Sequence, residues 1–173
     1  MDGSPVLQDN PVAGVSTSTT AIIVRVIVLL LAALATGGLM ANWIGLARAM
    51  ARLPSASAYT EFHQTSTRTY DPYMPIVVWG AFLGGVALAV FSSGLSSASG
   101  QLAVAGFFCY AAVIAISLAT GVRIDKLIAN WSAHAPPEEW APIRARWIRF
   151  HIVRTLFSIL GLVTYLLSGM LVS

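Results

Sequence analysis

The sequence predicts an all-α integral membrane protein, built as a bundle of four transmembrane helices. The first observation is composition: 57% of the residues are hydrophobic and only 10% are charged, against about 45–50% and about 25% in soluble domains. The second is that four segments are apolar over about 20 residues, the length that a helix needs to cross a bilayer core. The third is that most basic residues fall in two long loops between these segments.

The same composition excludes several classes of protein. A chain this apolar is neither disordered nor a typical soluble enzyme, although an enzyme embedded in a membrane stays possible. Cys109 is the single cysteine, so no disulfide can form within the chain. Ten basic residues against seven acidic ones are too sparse for a nucleic-acid surface, and we expect no nucleic-acid partner.

The elements follow in order along the chain. Residues 1–20 are rich in Gly, Pro, Ser and Thr and predict a flexible tail ahead of a four-helix domain over 21–173. Asp2 and Asp9 precede the first apolar run, where a secretory signal would be basic, so we expect this run to remain as a membrane helix. The predicted spans lie at about 26–46, 75–95, 102–122 and 148–172.

The connections between the spans predict the topology. The segment 92–101 is short and uncharged, whereas the loops after the first and third spans are long and carry most of the arginines. Four crossings place both long loops on the same side of the membrane. The positive-inside rule then predicts cytoplasmic loops and external termini, and we expect the plasma membrane.

The most informative polar residues begin the fourth span. Arg144, Trp147, His151, Arg154 and Ser158 recur at alternating three- and four-residue spacing, so they share one face of a helix. A charge inside a membrane helix normally faces the bundle and marks a functional site. The alternative for Arg154 is that its side chain snorkels back to the lipid headgroups.

The first span and the loop after it hold a second group. A short helix over 56–67 would place Tyr59 and His63 on one face and point Glu61 elsewhere. Asn42, near the end of the first span, either bonds another helix or contacts a bound molecule, because a buried amide is costly unless it is hydrogen-bonded.

Other polar or small residues near the spans have structural explanations. Asp125 and Lys126, just past the third span, are interpreted as boundary charges. Gly80 and Gly84 form a GxxxG motif. This motif is either a close-packing seam, within or between chains, or a consequence of the frequency of glycine in membrane helices.

Segment 130–155, with the pattern Asn…Trp…Arg-x-x-Trp-x-x-x-His-x-x-Arg-Thr, resembles the anthrone oxygenase-like family of small four-helix membrane proteins. The loop sequence EFHQ and the proline-rich return at 73–75 fit the same family. Many of its members are known only as a domain of unknown function.

The resemblance implies a membrane-embedded monooxygenase without a recognised cofactor. Fungal members oxidise a methylene of polycyclic phenolic anthrones to a ketone with O₂. This chemistry needs a base with a near-neutral pKa and cations aimed at a developing oxyanion. The base would be His151, with His63 as a second candidate, and Arg144 and Arg154 would hold the oxyanion. The contacts to a hydrophobic aromatic substrate would come from Asn42, Tyr59, Trp140 and Trp147.

Two other functions remain open from the sequence. Glu61, His63 and His151 have the ligand types of a non-haem iron site, and the two histidines could instead be axial ligands of haem, in a membrane redox protein. Alternatively, the chain is a non-enzymatic accessory subunit of a larger membrane complex. The small residues of the second and third spans could then dock a partner or a second copy in a homo-oligomer.

Overall fold

The computed structural model describes residues 11–71, 73–92 and 94–171, and these residues form an almost entirely helical chain. Two π-helical turns, Asn42–Ala47 and Ser117–Gly121, each join two α-helices end to end. No strand occurs in the described ranges, so the prediction of an all-α fold is confirmed. The α-helices are α1 (Pro11–Ala41), α2 (Arg48–Arg52), α3 (Ala56–Tyr70), α4 (Met74–Val90), α5 (Ala98–Ile116), α6 (Val122–Ala129) and α7 (Trp140–Met170).

Several helices are long and apolar enough to cross a membrane. Three continuous stretches satisfy both conditions: Thr19–Arg52, Ala98–Ala129 and Trp140–Met170. A fourth crossing arises if α4 is counted together with α3, from which it is bent by 50°. We assign this crossing to α4, because α3 carries mostly polar residues and α4 has none that is charged. The chain is therefore an integral membrane protein of the predicted bundle type.

The helix bounds differ from the predicted ones at several places, including the start of α7 at Trp140 instead of 148. Helix α1 begins at Pro11, inside the predicted tail, since proline suits a first helical turn; residues 1–10 lie outside the described part. Helix α5 begins at Ala98, because the Ser97 hydroxyl accepts a hydrogen bond from the Gly100 amide at 3.0 Å and caps the helix. Its continuation through α6 reaches Ala129, beyond the predicted end at 122.

The four long helices form a ring. Helix α1 packs beside α4 and α7, and α5 packs beside the same two helices on the other side. A Cβ added to Gly84 would lie 2.6 Å from Val28 Cγ1, so the GxxxG motif of α4 is a close-packing seam against α1 within the chain. Both long connections lie at the same end of this ring, here called the loop end.

Candidate active site

A cavity of about 170 Å³ lies at the loop end, between the four long helices. A cavity that holds a single water has a volume of about 10–15 Å³, so this one has room for an organic molecule. Its wall is mainly apolar. The apolar lining residues include Leu39, Leu46, Met50, Met74, Val78, Trp79, Val113, Ile114, Leu118, Val122 and Trp147.

A few polar side chains interrupt this apolar wall. Asp125 and Arg154 bring opposite charges to the cavity, and Asn42 and Ser117 bring neutral groups. Asp71 adds a second carboxylate, which is exposed to solvent just before α4 begins. An apolar pocket with a few convergent polar groups is the usual form of a small-molecule site.

The two π-helical turns lie at this cavity. One begins at Asn42 and the other at Ser117, and both of these residues line the wall. A π-helical turn inserts an extra residue into an α-helix and changes which side chains face inward, and such turns are frequent at functional sites. Here two different helices are widened at the same level, around the same space.

Asp125 is held on one side by two donors. Nε2 of His63 lies 3.0 Å from Asp125 Oδ1, and the Trp147 indole donates to the same oxygen at 2.8 Å. The second carboxylate oxygen accepts no hydrogen bond from the described residues. Asp125 thus lines the cavity as an oriented carboxylate, and its second oxygen can still accept a hydrogen bond.

His63 owes its orientation to Tyr59, one helical turn earlier. The Tyr59 hydroxyl lies 3.3 Å from His63 Nδ1, and both side chains are buried. Burial and the nearby Asp125 carboxylate raise the pKa of Tyr59, so the phenol keeps its proton and can donate to Nδ1. His63 Nε2 then carries the hydrogen that is donated to Asp125.

His151 is buried, and both of its ring nitrogens are engaged. Nε2 lies 3.2 Å from the Leu39 carbonyl oxygen, which can only accept, so Nε2 carries the hydrogen. Nδ1 accepts from Arg154 Nε at 3.0 Å and from Arg154 Nη2 at 2.6 Å. The ring therefore holds the guanidinium, and it presents no free lone pair to the cavity.

Arg154 faces the bundle, not the lipid headgroups. Besides its bonds to His151, it donates from Nη1 to the Ser117 hydroxyl at 3.2 Å, and it lines the cavity. The guanidinium is thus fixed by two helices, α7 and the widened end of α5. It is a cation directed at the space that Asp125 borders.

Comparison with known proteins shows which family the chain belongs to. A family model described as anthrone oxygenase matches residues 62–164, which is more than half of the 173 residues. The chain belongs to the anthrone oxygenase family. No curated protein and no solved structure matches it. The matched region covers most of the site just described, including His63, Asp125, His151 and Arg154.

Besides His63 and His151, three residues that the resemblance assigned to the site lie outside the cavity lining: the oxyanion candidate Arg144 and the substrate contacts Tyr59 and Trp140. Arg144 donates to the Met50 carbonyl at 3.0 Å and covers the Trp140 ring, with 4.6 Å between guanidinium carbon and ring centroid. Tyr59 packs against Trp140. These three residues pack on one another, since the Arg144 guanidinium also lies over the Tyr59 ring, 5.8 Å from its centroid. Trp147 does line the cavity, stacked on His151.

The iron site considered from the sequence does not assemble from these residues. The Glu61 side chain is exposed, whereas His63 and His151 are buried. No three His, Cys, Asp or Glu side chains of the described ranges lie close enough to share a metal ion. For haem, each histidine would have to give up an existing hydrogen bond to reach an iron atom.

Sequence reasoning missed Asp125, which it treated as a boundary charge. A signal was present: Ser117, Gly121 and Asp125 are spaced by four residues, as on one helix face. All three turn inward in this member of the anthrone oxygenase family, where Ser117 and Asp125 line the cavity and Gly121 is buried. The carboxylate therefore continues the inner face of the third span.

Proposed function

We propose that the protein is a cofactor-independent monooxygenase that uses O₂ to oxidise an activated methylene of a hydrophobic, polycyclic aromatic substrate. One observation carries the proposal: a carboxylate with a free oxygen, on Asp125, and a fixed guanidinium, on Arg154, border the same apolar cavity. Membership of the anthrone oxygenase family supports the reaction type.

The first step is removal of a proton from the methylene. Asp125 is the base, and the C–H electron pair is delocalised onto the substrate oxygen. The carboxylate oxygen that accepts no hydrogen bond from the described residues is free to take this proton. His63 and Tyr59 act as positioning residues, since they fix the Asp125 oxygen that does not react. Asp125 replaces the histidine base that the resemblance implied, because both His151 nitrogens are already bonded.

Arg154 stabilises the oxyanion that results. A preorganised donor directed at developing charge in a dry site contributes far more than the same group in water. His151 and Ser117 hold the guanidinium in place, so it needs no reorganisation as the charge forms. His151 is in this account a positioning residue.

The anion then reacts with O₂ directly. One electron passes from the anion to O₂, the resulting radical and superoxide combine into a C–O bond, and the peroxide takes the proton from Asp125. Loss of the second methylene hydrogen breaks the O–O bond and releases water. The sum is anthrone and O₂ giving anthraquinone and water, with one oxygen atom in the ketone and the other in water.

The substrate reaches the cavity from the bilayer in this proposal. An apolar polycyclic molecule partitions into lipid, and the membrane-crossing helices that form the cavity wall are themselves exposed to lipid. We further propose that the loop end faces the cytoplasm in the plasma membrane, because its exposed arginines follow the positive-inside rule. No partner protein is required by the chemistry.

The test is turnover by the purified protein in lipid nanodiscs, with anthrone as substrate. We expect anthraquinone to form with equal consumption of O₂, above the spontaneous rate in empty nanodiscs at the same pH. Incorporation of one ¹⁸O atom from labelled O₂ into the ketone checks the stoichiometry. A rate equal to that of empty nanodiscs, with a correctly folded protein, would contradict the proposed function.

A further inference from the structure

Asn42 carries a buried polar atom for which the fold provides no partner. Its Oδ1 atom is shielded from solvent and forms no hydrogen bond within the described residues. Most buried side-chain oxygens in proteins do have a partner, so an orphaned one calls for a functional explanation. Asn42 also lines the cavity of the candidate site.

The position of Asn42 prevents its neighbours from satisfying it. Asn42 is the first residue of the π-helical turn that widens the end of α1. His151, on α7, donates its Nε2 hydrogen to the main-chain carbonyl of Leu39, one turn before Asn42. Arg154, the cation of the same cavity, is fixed by His151 and Ser117. The amide oxygen of Asn42 is therefore left without a donor from the described residues.

We infer that Asn42 is a specificity residue, whose amide oxygen accepts a hydrogen bond from a hydroxyl group on the aromatic substrate. This inference rests on the proposed function, because it assigns a further contact in the same cavity. Arg154 would hold the oxygen that becomes the oxyanion, and Asn42 would hold a hydroxyl elsewhere on the ring system. Two polar contacts in an apolar slot fix the orientation of a flat molecule.

A ligand that places a hydrogen-bond donor next to the Asn42 amide oxygen should bind more tightly than one that places an apolar group there. A substrate without the hydroxyl leaves the Asn42 acceptor buried and unpaired in the complex, and sites built for a hydrogen bond discriminate strongly against such analogues. An unpaired neutral acceptor corresponds to about 5- to 150-fold in affinity. We expect a preference of that order for the hydroxylated ligand.

The test uses binding, so that it does not depend on turnover. Anthraquinone and β-hydroxyanthraquinone have the same ring system, lack a methylene that can react, and differ in one hydroxyl that cannot bond to its own ketone. Their affinities for the full chain in nanodiscs can be measured by quenching of tryptophan fluorescence, since Trp79 and Trp147 line the cavity. The wild type should bind the hydroxylated compound about 5- to 150-fold more tightly.

Asn42→Leu should abolish this preference by losing affinity for the hydroxylated compound alone. Leu46→Ala is the matched control, because Leu46 lines the same wall without a polar atom, and it should change both affinities by the same factor. Melting temperature of the ligand-free variants is the second readout: removing an orphaned acceptor should leave it unchanged or raise it. Asn42→Thr, with a smaller acceptor, should retain part of the preference if Asn42→Leu does not fold.

Three outcomes would overturn the inference. They are equal affinity of the wild type for both compounds, a preference that survives in Asn42→Leu, and a marked drop in melting temperature on removal of the amide. The last result would mean that Asn42 bonds another helix, as a purely structural residue would. A protein that shows the preference but never oxidises anthrone would retain this inference and reject the proposed function.

Discussion

The two ends of the helix ring differ in whether their polar groups are hydrogen-bonded and in how closely their helices pack. At the end away from the loops, Ser99 and Ser168 donate to each other's main-chain carbonyls, both at 2.8 Å. The Tyr165 hydroxyl donates to the Ala81 carbonyl, and its ring packs onto Gly106 with no room for a Cβ. At the loop end, two π-helical turns surround a cavity with an orphaned amide oxygen.

The difference shows that the close-packed end stabilises the fold, whereas the loop end is less stable because it contains a site. Small residues let membrane helices approach closely, and reciprocal hydrogen bonds then join them. A cavity and an unpaired polar atom both cost stability, and they persist where binding or chemistry needs them. Substitutions at the cavity of the loop end should therefore change turnover, and substitutions in the close-packed contacts of the other end should change stability.

The largest effect is expected from Asp125→Asn. The amide oxygen can still accept from His63 and Trp147, so the fold is kept, but the base is lost. General-base catalysis contributes about 10²–10⁴-fold, and kcat with anthrone should fall by that factor. Glu61→Gln, an exposed carboxylate on α3, is the control and should keep wild-type turnover. Unchanged turnover in Asp125→Asn would remove Asp125 from the mechanism.

Arg154→Gln should have the next largest effect. The cation for the oxyanion is lost, and removing one such donor typically costs about 10²–10³-fold in kcat. Arg149→Gln is the matched control, because Arg149 lies on the same helix but is exposed. Steady-state rates of anthrone oxidation check both variants. Equal losses in the two would mean that arginines on α7 act through membrane insertion and not through the site.

His151→Leu separates a positioning role from that of a base. Loss of hydrogen bonds to a charged group corresponds to about 10- to 150-fold, so kcat should fall by that range, less than for Asp125→Asn. The pH profile of kcat should keep its shape, because His151 is not the group that takes the proton. His134→Leu, in the exposed loop before α7, should leave the rate unchanged. An altered pH profile in His151→Leu would restore the histidine base.

Gly106→Ala tests the close-packed end. The added methyl would overlap the Tyr165 ring, and overpacking of this kind costs about 1–3 kcal/mol of stability. Gly37→Ala is the matched control, since a Cβ there meets nothing within 4 Å. Denaturation in mixed micelles should show a loss for Gly106→Ala only, with turnover per folded molecule unchanged in both. A loss of turnover at wild-type stability would contradict the division between the two ends.

Much of this fold could be predicted from the sequence, because the length of an apolar segment and the absence of charge within it indicate where a helix crosses the membrane. The stripe from Arg144 to Ser158 also followed from helical spacing, as did the pairing of Tyr59 with His63. The role of each residue could not be predicted, because it depends on partners distant in the chain. The Leu39 carbonyl occupies His151, and His63 orients Asp125 across 62 residues.

The central claim is that Asp125 removes a proton from a substrate whose oxygen Arg154 holds. Exchange of the anthrone methylene hydrogens for deuterium in D₂O without O₂ isolates this step from the reaction with oxygen. The account predicts that the wild type in nanodiscs accelerates exchange over empty nanodiscs, and that Asp125→Asn and Arg154→Gln do not. Acceleration that survives in Asp125→Asn, or no acceleration by a wild type that oxidises anthrone in air, would contradict it.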